Sequence, residues 1–246
     1  MPLKHLKARQ RETLSKTLTK LSEELARLSF GPPVTHVLNP LEYAYEPFKL
    51  YLQRFLCGPP GRTLLLGMNP GPWGMAQTGV PFGEVESVKN YLGISAQVAS
   101  PPNAHPKRPI QGFRCRRSEV SGRRLWGFFQ THFPASADFA ERFVVFNYCP
   151  LVFQEKSGKN RTPDNLAKPE REALYRICDA TLSEVISCLE IRRAFGVGKF
   201  AEARLRAVAQ GCSSLQEVDS ILHPSPANPA ANRGWSEAVA DKLLAD

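Results

Sequence analysis

Thr63-Leu64-Leu65-Leu66-Gly67-Met68-Asn69-Pro70-Gly71-Pro72-Trp73-Gly74-Met75 decides how the rest of the chain is read. An apolar run short enough for a buried strand breaks into two X-Pro steps and closely spaced glycines, which predicts a strand ending in a rigid turn. Asn69 stands where the break begins. In open α/β sheets, ligands bind at the carboxyl ends of such strands. Taken alone, however, the stretch reads equally well as a stiff turn without chemistry, so the remaining junctions matter.

Three more apolar runs end in the same way. Phe143–Phe146 leads into Asn147-Tyr148-Cys149-Pro150, Ala194–Val197 into Gly198, and Val218–Leu222 into His223-Pro224-Ser225-Pro226. Helical spacing falls between and after them, at about 85–92, 123–132, 170–189, 199–210 and 230–244, with a shorter helical piece near 48–55. This is the alternation of a parallel sheet with helices on both faces. The expected fold is one three-layer α/β/α domain spanning 1–246 around a central four-stranded parallel sheet. Carboxyl ends of parallel strands share an edge, so Asn69, Asn147, Gly198 and His223 should converge.

Residues 9–29 carry Leu14, Leu18, Leu21, Leu25 and Leu28 at steps of four and three, one apolar stripe on a helix. That stripe should dock the helix on the body, since the repeat is short for a coiled-coil dimer. The Pro-rich and then basic stretch 100–121 reads as a surface excursion, and 157–165 as a polar, basic loop.

Composition narrows the class. The hydrophobic fraction of 42% is that of an ordinary globular protein, and no apolar run approaches the roughly 20 residues of a membrane span. The N-terminus lacks the apolar core of a signal peptide, so secretion is not expected. The six cysteines form no C-x-x-C pair, which argues for reduced thiols, and nothing in their spacing supports a metal site. The net charge of +9 points to an acidic partner. Residues 107–124 hold seven bases against a single acid, Glu119, as a phosphate-contacting surface does.

The predicted edge has no paired carboxylates and no Ser-His-Asp order. It offers two amides, an imidazole, an aromatic in a tight turn (Phe82) and glycines that admit close approach. Amides orient water and read hydrogen-bonding edges. Histidine donates to a developing oxyanion, and an aromatic face stacks on a planar heterocycle. Such a set suits release of a planar leaving group by charge stabilisation. GVGKF (196–200) lacks the frame of a nucleotide-triphosphate loop, but Gly198 and Lys199 at a helix start suit one phosphate.

GMNPGPWGMAQTGVPFGE (67–84), FNYCPL (146–151), SGKN (157–160), GVGKFAE (196–202) and HPSPANPAANRGW (223–235) resemble, in order, the motifs of the single-strand-selective monofunctional uracil-DNA glycosylases. The resemblance runs from about residue 40 to the C-terminus. It implies an α/β/α fold with a four-stranded parallel sheet and excision of uracil, and of 5-modified uracils, from single- and double-stranded DNA by base flipping. Asn69 matches the residue that positions the attacking water, and His223 the one that stabilises the departing uracil anion. Asn147 matches the amide reading N3–H and O4 of the base. Phe82 matches the stacking ring, and Met68, Gly71 and Met75 match pocket-wall positions. Ser157, Lys159, Gly198, Lys199, Pro224, Ser225, Pro226, Ala227, Asn228 and Arg233 match DNA-contacting positions. The resemblance implies no metal or cofactor.

Two departures stand out. The family typically has a long basic residue, often Arg, where this chain has Ala227, so wedging into duplex should be weaker. Trp73 stands where relatives often carry Phe. A monomer in the cytoplasm or, in a eukaryote, the nucleus is the expected setting. The alternatives are a relative that excises hypoxanthine or xanthine, and a DNA-binding module with little catalysis.

Overall fold

The computed structural model describes residues 6–245; the remaining positions of the expected domain, 1–5 and 246, lie outside the described residues. Among the described residues seven strands form two sheets: β1 (Val34–Leu38), β2 (Thr63–Gly67), β3 (Phe143–Asn147), β4 (Val152–Glu155), β5 (Asn160–Arg161), β6 (Arg193–Val197) and β7 (Glu217–Ile221). The central sheet is four-stranded and parallel in the order β3-β2-β6-β7, with helices flanking it, as the sequence predicts. In β2 and β3 the apolar residues run consecutively rather than alternate, because both faces are covered.

The N-terminal helix runs Ala8–Leu25. Its Leu14, Leu18, Leu21 and Leu25 are buried, and it packs along the helix Lys168–Cys188. Eighteen residues of isolated helix are marginal in water, so this docking supplies much of its stability, at roughly 1.5–3 kcal/mol per buried leucine. Lys168–Cys188 packs in turn on Lys199–Ala209, which covers β6 and β7. Between these two helices Asp179 accepts from Tyr148 Oη (2.9 Å) and is paired with Arg204, tying the helices to the residue just past β3.

A buried guanidinium locks the other end of β2. Arg62 donates to the carbonyls of Phe55, Leu56, Pro59, Ala140 and Phe143, so the turn before β2 and the chain entering β3 share one cation. Burial lowers its pKa to about 10, and it remains charged at neutral pH.

The structure departs from the sequence reading in several places, beginning with the N-terminal helix, which ends at Leu25 rather than near residue 29 and leaves Leu28 beyond it. A second sheet, β1-β4-β5, is antiparallel; β1 mixes polar and apolar residues, β4 is four residues long, and β5 lies inside the supposed loop 157–165. The helix expected at 48–55 starts at Tyr45 and finishes as a π-helical turn, Leu52–Leu56. The closing helix is broken into Pro229–Asn232 and Trp235–Leu244, because Gly234 adopts φ 145°, outside any helix. Residues 100–121 are more than an excursion, since His105 and Cys115 are buried and Glu119 reaches the central cavity.

Among the described residues no helix is long and apolar enough to cross a membrane. The six cysteines are free thiols.

Candidate active site

The ladders of the central sheet continue past the strands and set the site. Tyr148 N–H donates to Gly67 O and Cys149 N–H to Met68 O, both at 2.9 Å, which draws Asn147 alongside Asn69. On the other side Gly198 N–H donates to Ile221 O at 3.0 Å and brings Gly198 against His223. A cavity of about 400 Å³ opens between these ends. Of the expected residues, Met68, Asn69, Gly71, Phe82, Asn147, His223, Ser225 and Pro226 line it.

The Asn69 amide is held from one side. Its Nδ2 donates to Leu151 O at 3.2 Å and lies 3.5 Å from Arg161 O. That commits the NH₂ group to the protein and leaves Oδ1 as an acceptor. An acceptor oxygen on a fixed amide orients a water molecule but is too weak a base to deprotonate one.

Asn147 is buried, with Nδ2 donating to Met75 Sδ at 3.2 Å. Met75 therefore stands behind the amide rather than in the open wall. Gly67 makes the arrangement possible: a side chain there would strike both Asn147 Oδ1 and the Phe82 ring. Phe82 itself has φ 51°, a left-handed conformation costing a bulky residue about 1–3 kcal/mol. Its carbonyl holds the strained turn by accepting from Trp126 Nε1 (3.1 Å) and from Glu84 N–H (2.7 Å).

His223 Nδ1 accepts a hydrogen bond from the Ser225 peptide N–H at 3.1 Å. The ring proton must then sit on Nε2, which makes that edge a donor. Burial lowers the pKa of the ring below its ordinary value, so the donor is an uncharged imidazole at neutral pH. Arg124 fixes the loop that follows, donating to Pro224 O (3.1 Å), Ser225 O (3.4 Å) and Asn232 Oδ1 (2.8 Å).

The other expected residues lie around this centre. Ser157 and Lys159 are exposed on the turn between β4 and β5. Gly198, Lys199 and Asn228 share a second cavity, about 430 Å³, with His223. Lys199 Nζ is bonded to Glu202 Oε2 (2.7 Å) and Ser220 Oγ (2.9 Å), and together with Arg206 it holds the Glu202 carboxyl down to about 2. Pro224 is buried, while Ala227 and Arg233 are exposed.

Sequence reading missed several cavity residues. Asn160 comes from the strand hidden in the supposed loop and Thr162 follows it directly, and Trp73 carries the guanidinium groups of Arg108 (5.1 Å) and Arg117 (4.4 Å) against its ring. Glu119 also lines the cavity. Its one signal in the sequence is that it is the lone acid among seven bases.

A parallel α/β sheet with two amides, a donor imidazole and a strained aromatic at its carboxyl edge suits release of a planar leaving group, and sequence comparison supplies the family. The sequence model of the Uracil DNA glycosylase superfamily matches residues 56–244, and the chain belongs to that superfamily. It is 48% identical over 224 residues to the single-strand selective monofunctional uracil-DNA glycosylase of Rattus norvegicus, covering 91% of this chain and 80% of that protein. The Mus musculus protein of the same name is 46% identical over the same coverage. Within the superfamily the chain therefore belongs to the single-strand-selective monofunctional group. The fold is shared with Pedobacter heparinus SMUG2, at a TM-score of 0.68 and 17% identity, covering 94% of this chain and 95% of that one.

Proposed function

We propose that this chain hydrolyses the N-glycosidic bond of uracil, and of 5-modified uracils, in single- and double-stranded DNA, leaving an abasic site for base excision repair. The observation that carries the reading is the pairing of a fixed Asn69 acceptor with a neutral His223 Nε2–H donor at one cavity.

Cleavage builds positive charge on the sugar and negative charge on the base. His223 Nε2–H stabilises the uracil anion as it forms, while Asn69 Oδ1 holds water in line with the sugar carbon. Asn147 reads N3–H and O4 of the flipped base, which rejects cytosine, whose edge has the opposite donor and acceptor order. Phe82 stacks on the base. Flipping costs a few kcal/mol, least in single strands. Lys159, Lys199 and Arg233, with Ser157, Gly198 and the 224–228 loop, contact the DNA backbone. We take the chain to act as a monomeric single domain.

The test uses oligonucleotides bearing one uracil, hypoxanthine or xanthine, followed by alkali to reveal abasic sites. Cleavage at uracil, lost in Asn69→Ala and His223→Ala, supports the proposal. Cleavage confined to a purine would move the chain to a different substrate, and tight binding without abasic sites would make it a binding module.

A further inference from the structure

Glu119 is the acid in the cavity wall, and hydrolysis as just derived leaves it unused. It immediately precedes the helix Val120–His132 and lines the same cavity as Asn69, Asn147 and His223. Its carboxyl is pressed onto the Gly71–Gly74 turn. A Cβ at Gly74 would lie 2.7 Å from both carboxyl oxygens, and one at Gly71 would strike Oε2. The turn is glycine-rich where this carboxyl needs the room.

Partnership is incomplete. The peptide N–H groups of Trp73 and Gly74 are directed at the carboxyl, yet Oε2 is buried without a hydrogen bond. A carboxylate held like this is costly, whereas a carboxylic acid is not. The surrounding charges offer little relief. Glu84, from the strained turn at Phe82, adds a like charge. Arg108 and Arg117 are turned to the Trp73 ring, and His223 is uncharged. Burial pushes the Glu119 carboxyl up to about 7, with Glu84 adding to it against the pull of the two peptide N–H groups.

We propose that Glu119 is a positioning residue that works as a neutral carboxylic acid, holding the Gly71–Gly74 turn against the base, and that its ionisation disables excision. The proposal rests on the cavity being the uracil pocket. There the base leaves as an anion, and a carboxylate in the same poorly solvated wall opposes that charge as it grows. The protonated form imposes no such opposition. The proton exchanges with solvent and takes no part in bond breaking.

Single-turnover excision from a single-stranded oligonucleotide with one uracil, followed from pH 6 to 8.5, tests this. The wild type should slow by more than about tenfold between pH 7 and 8.5. Glu119→Gln, which keeps the shape and cannot ionise, should vary by less than twofold over that interval. Parallel decline in the two proteins overturns the proposal. Titration of the Glu119 carboxyl carbon in ¹³C-labelled wild-type protein tests it without any variant, and a midpoint below pH 5 sinks it. Asn69→Ala at pH 6.5 separates the two levels of inference. Full activity there removes the pocket itself, whereas an inactive Asn69→Ala beside a pH-parallel Glu119→Gln removes only the role of Glu119.

Discussion

Ser225 donates its peptide N–H to Nδ1 of His223 across 3.1 Å, and so decides from the backbone which edge of the imidazole carries the proton. No acidic side chain is needed to orient the ring. His223→Ala should slow single-turnover excision by about 10²- to 10³-fold, as loss of an oxyanion donor does. His223→Gln, which retains a neutral donor, should lose less. The lowered pKa also has a stability consequence. The folded ring resists a proton that the unfolded chain accepts near pH 6.5, so stability is intact above that pH and falls as the solution is acidified through it. Melting temperatures at pH 7.5 and 5.5 check this: the acid loss should be smaller in His223→Gln than in wild type.

Asn147 is buried with Nδ2 donating to Met75 Sδ, and under the proposed reading its amide offers the base one acceptor and one donor. Asn147→Asp replaces the donor with an acceptor. Uracil excision should fall by about 10²-fold or more, because a buried pair is left unmatched, and a slow cytosine activity should appear. Alkali-labile sites in paired uracil and cytosine oligonucleotides give both readouts. Unchanged discrimination would remove Asn147 from base reading.

Ala227 is exposed on the 224–228 loop, where Ser225 Oγ accepts its peptide N–H at 3.1 Å. The loop is structured but has no long side chain to fill the gap a flipped base leaves. Rates should order single strand, then U:G, then U:A. Ala227→Arg should raise the U:A rate about tenfold with little change on single strands, since unstacking costs a few kcal/mol only in the duplex. Equal wild-type rates on U:A and single strands would refute the weak-wedge idea.

Arg62 serves five carbonyls from two segments, a geometry that one ammonium cannot reproduce. Arg62→Lys should cost about 2–4 kcal/mol, read as a lower denaturation midpoint in urea with little change in slope. The site lies at the other end of β2 and β3, so excision by the folded fraction should persist.

The central sheet was legible because its inner strands are covered on both faces and each strand ends in a proline or glycine turn. Asn69, Asn147 and His223 could be placed on one edge from that rule alone. The small antiparallel sheet was not legible. Its strand Val34–Leu38 has the burial pattern of a half-covered edge, and Asn160–Arg161 is two residues long, too short for any period. Cavity residues supplied by those pieces were lost with them. Glu119 was hidden for a different reason. Nothing local distinguishes a carboxyl on a basic surface from one folded under a glycine turn, and the distinction arises only when residues 71–74 and 119 meet.

Phe82 is held at φ 51° by the carbonyl bonds from Trp126 and Glu84. A glycine at this position would relieve the backbone and leave the pocket without its ring. Yet the ring is also buried in the core, and its loss costs about 3–5 kcal/mol against about 1–3 kcal/mol of strain relieved, so packing and pocket ask for the same residue at 82. Screens for thermostable variants that also demand excision should leave Phe82 untouched and place their gains elsewhere.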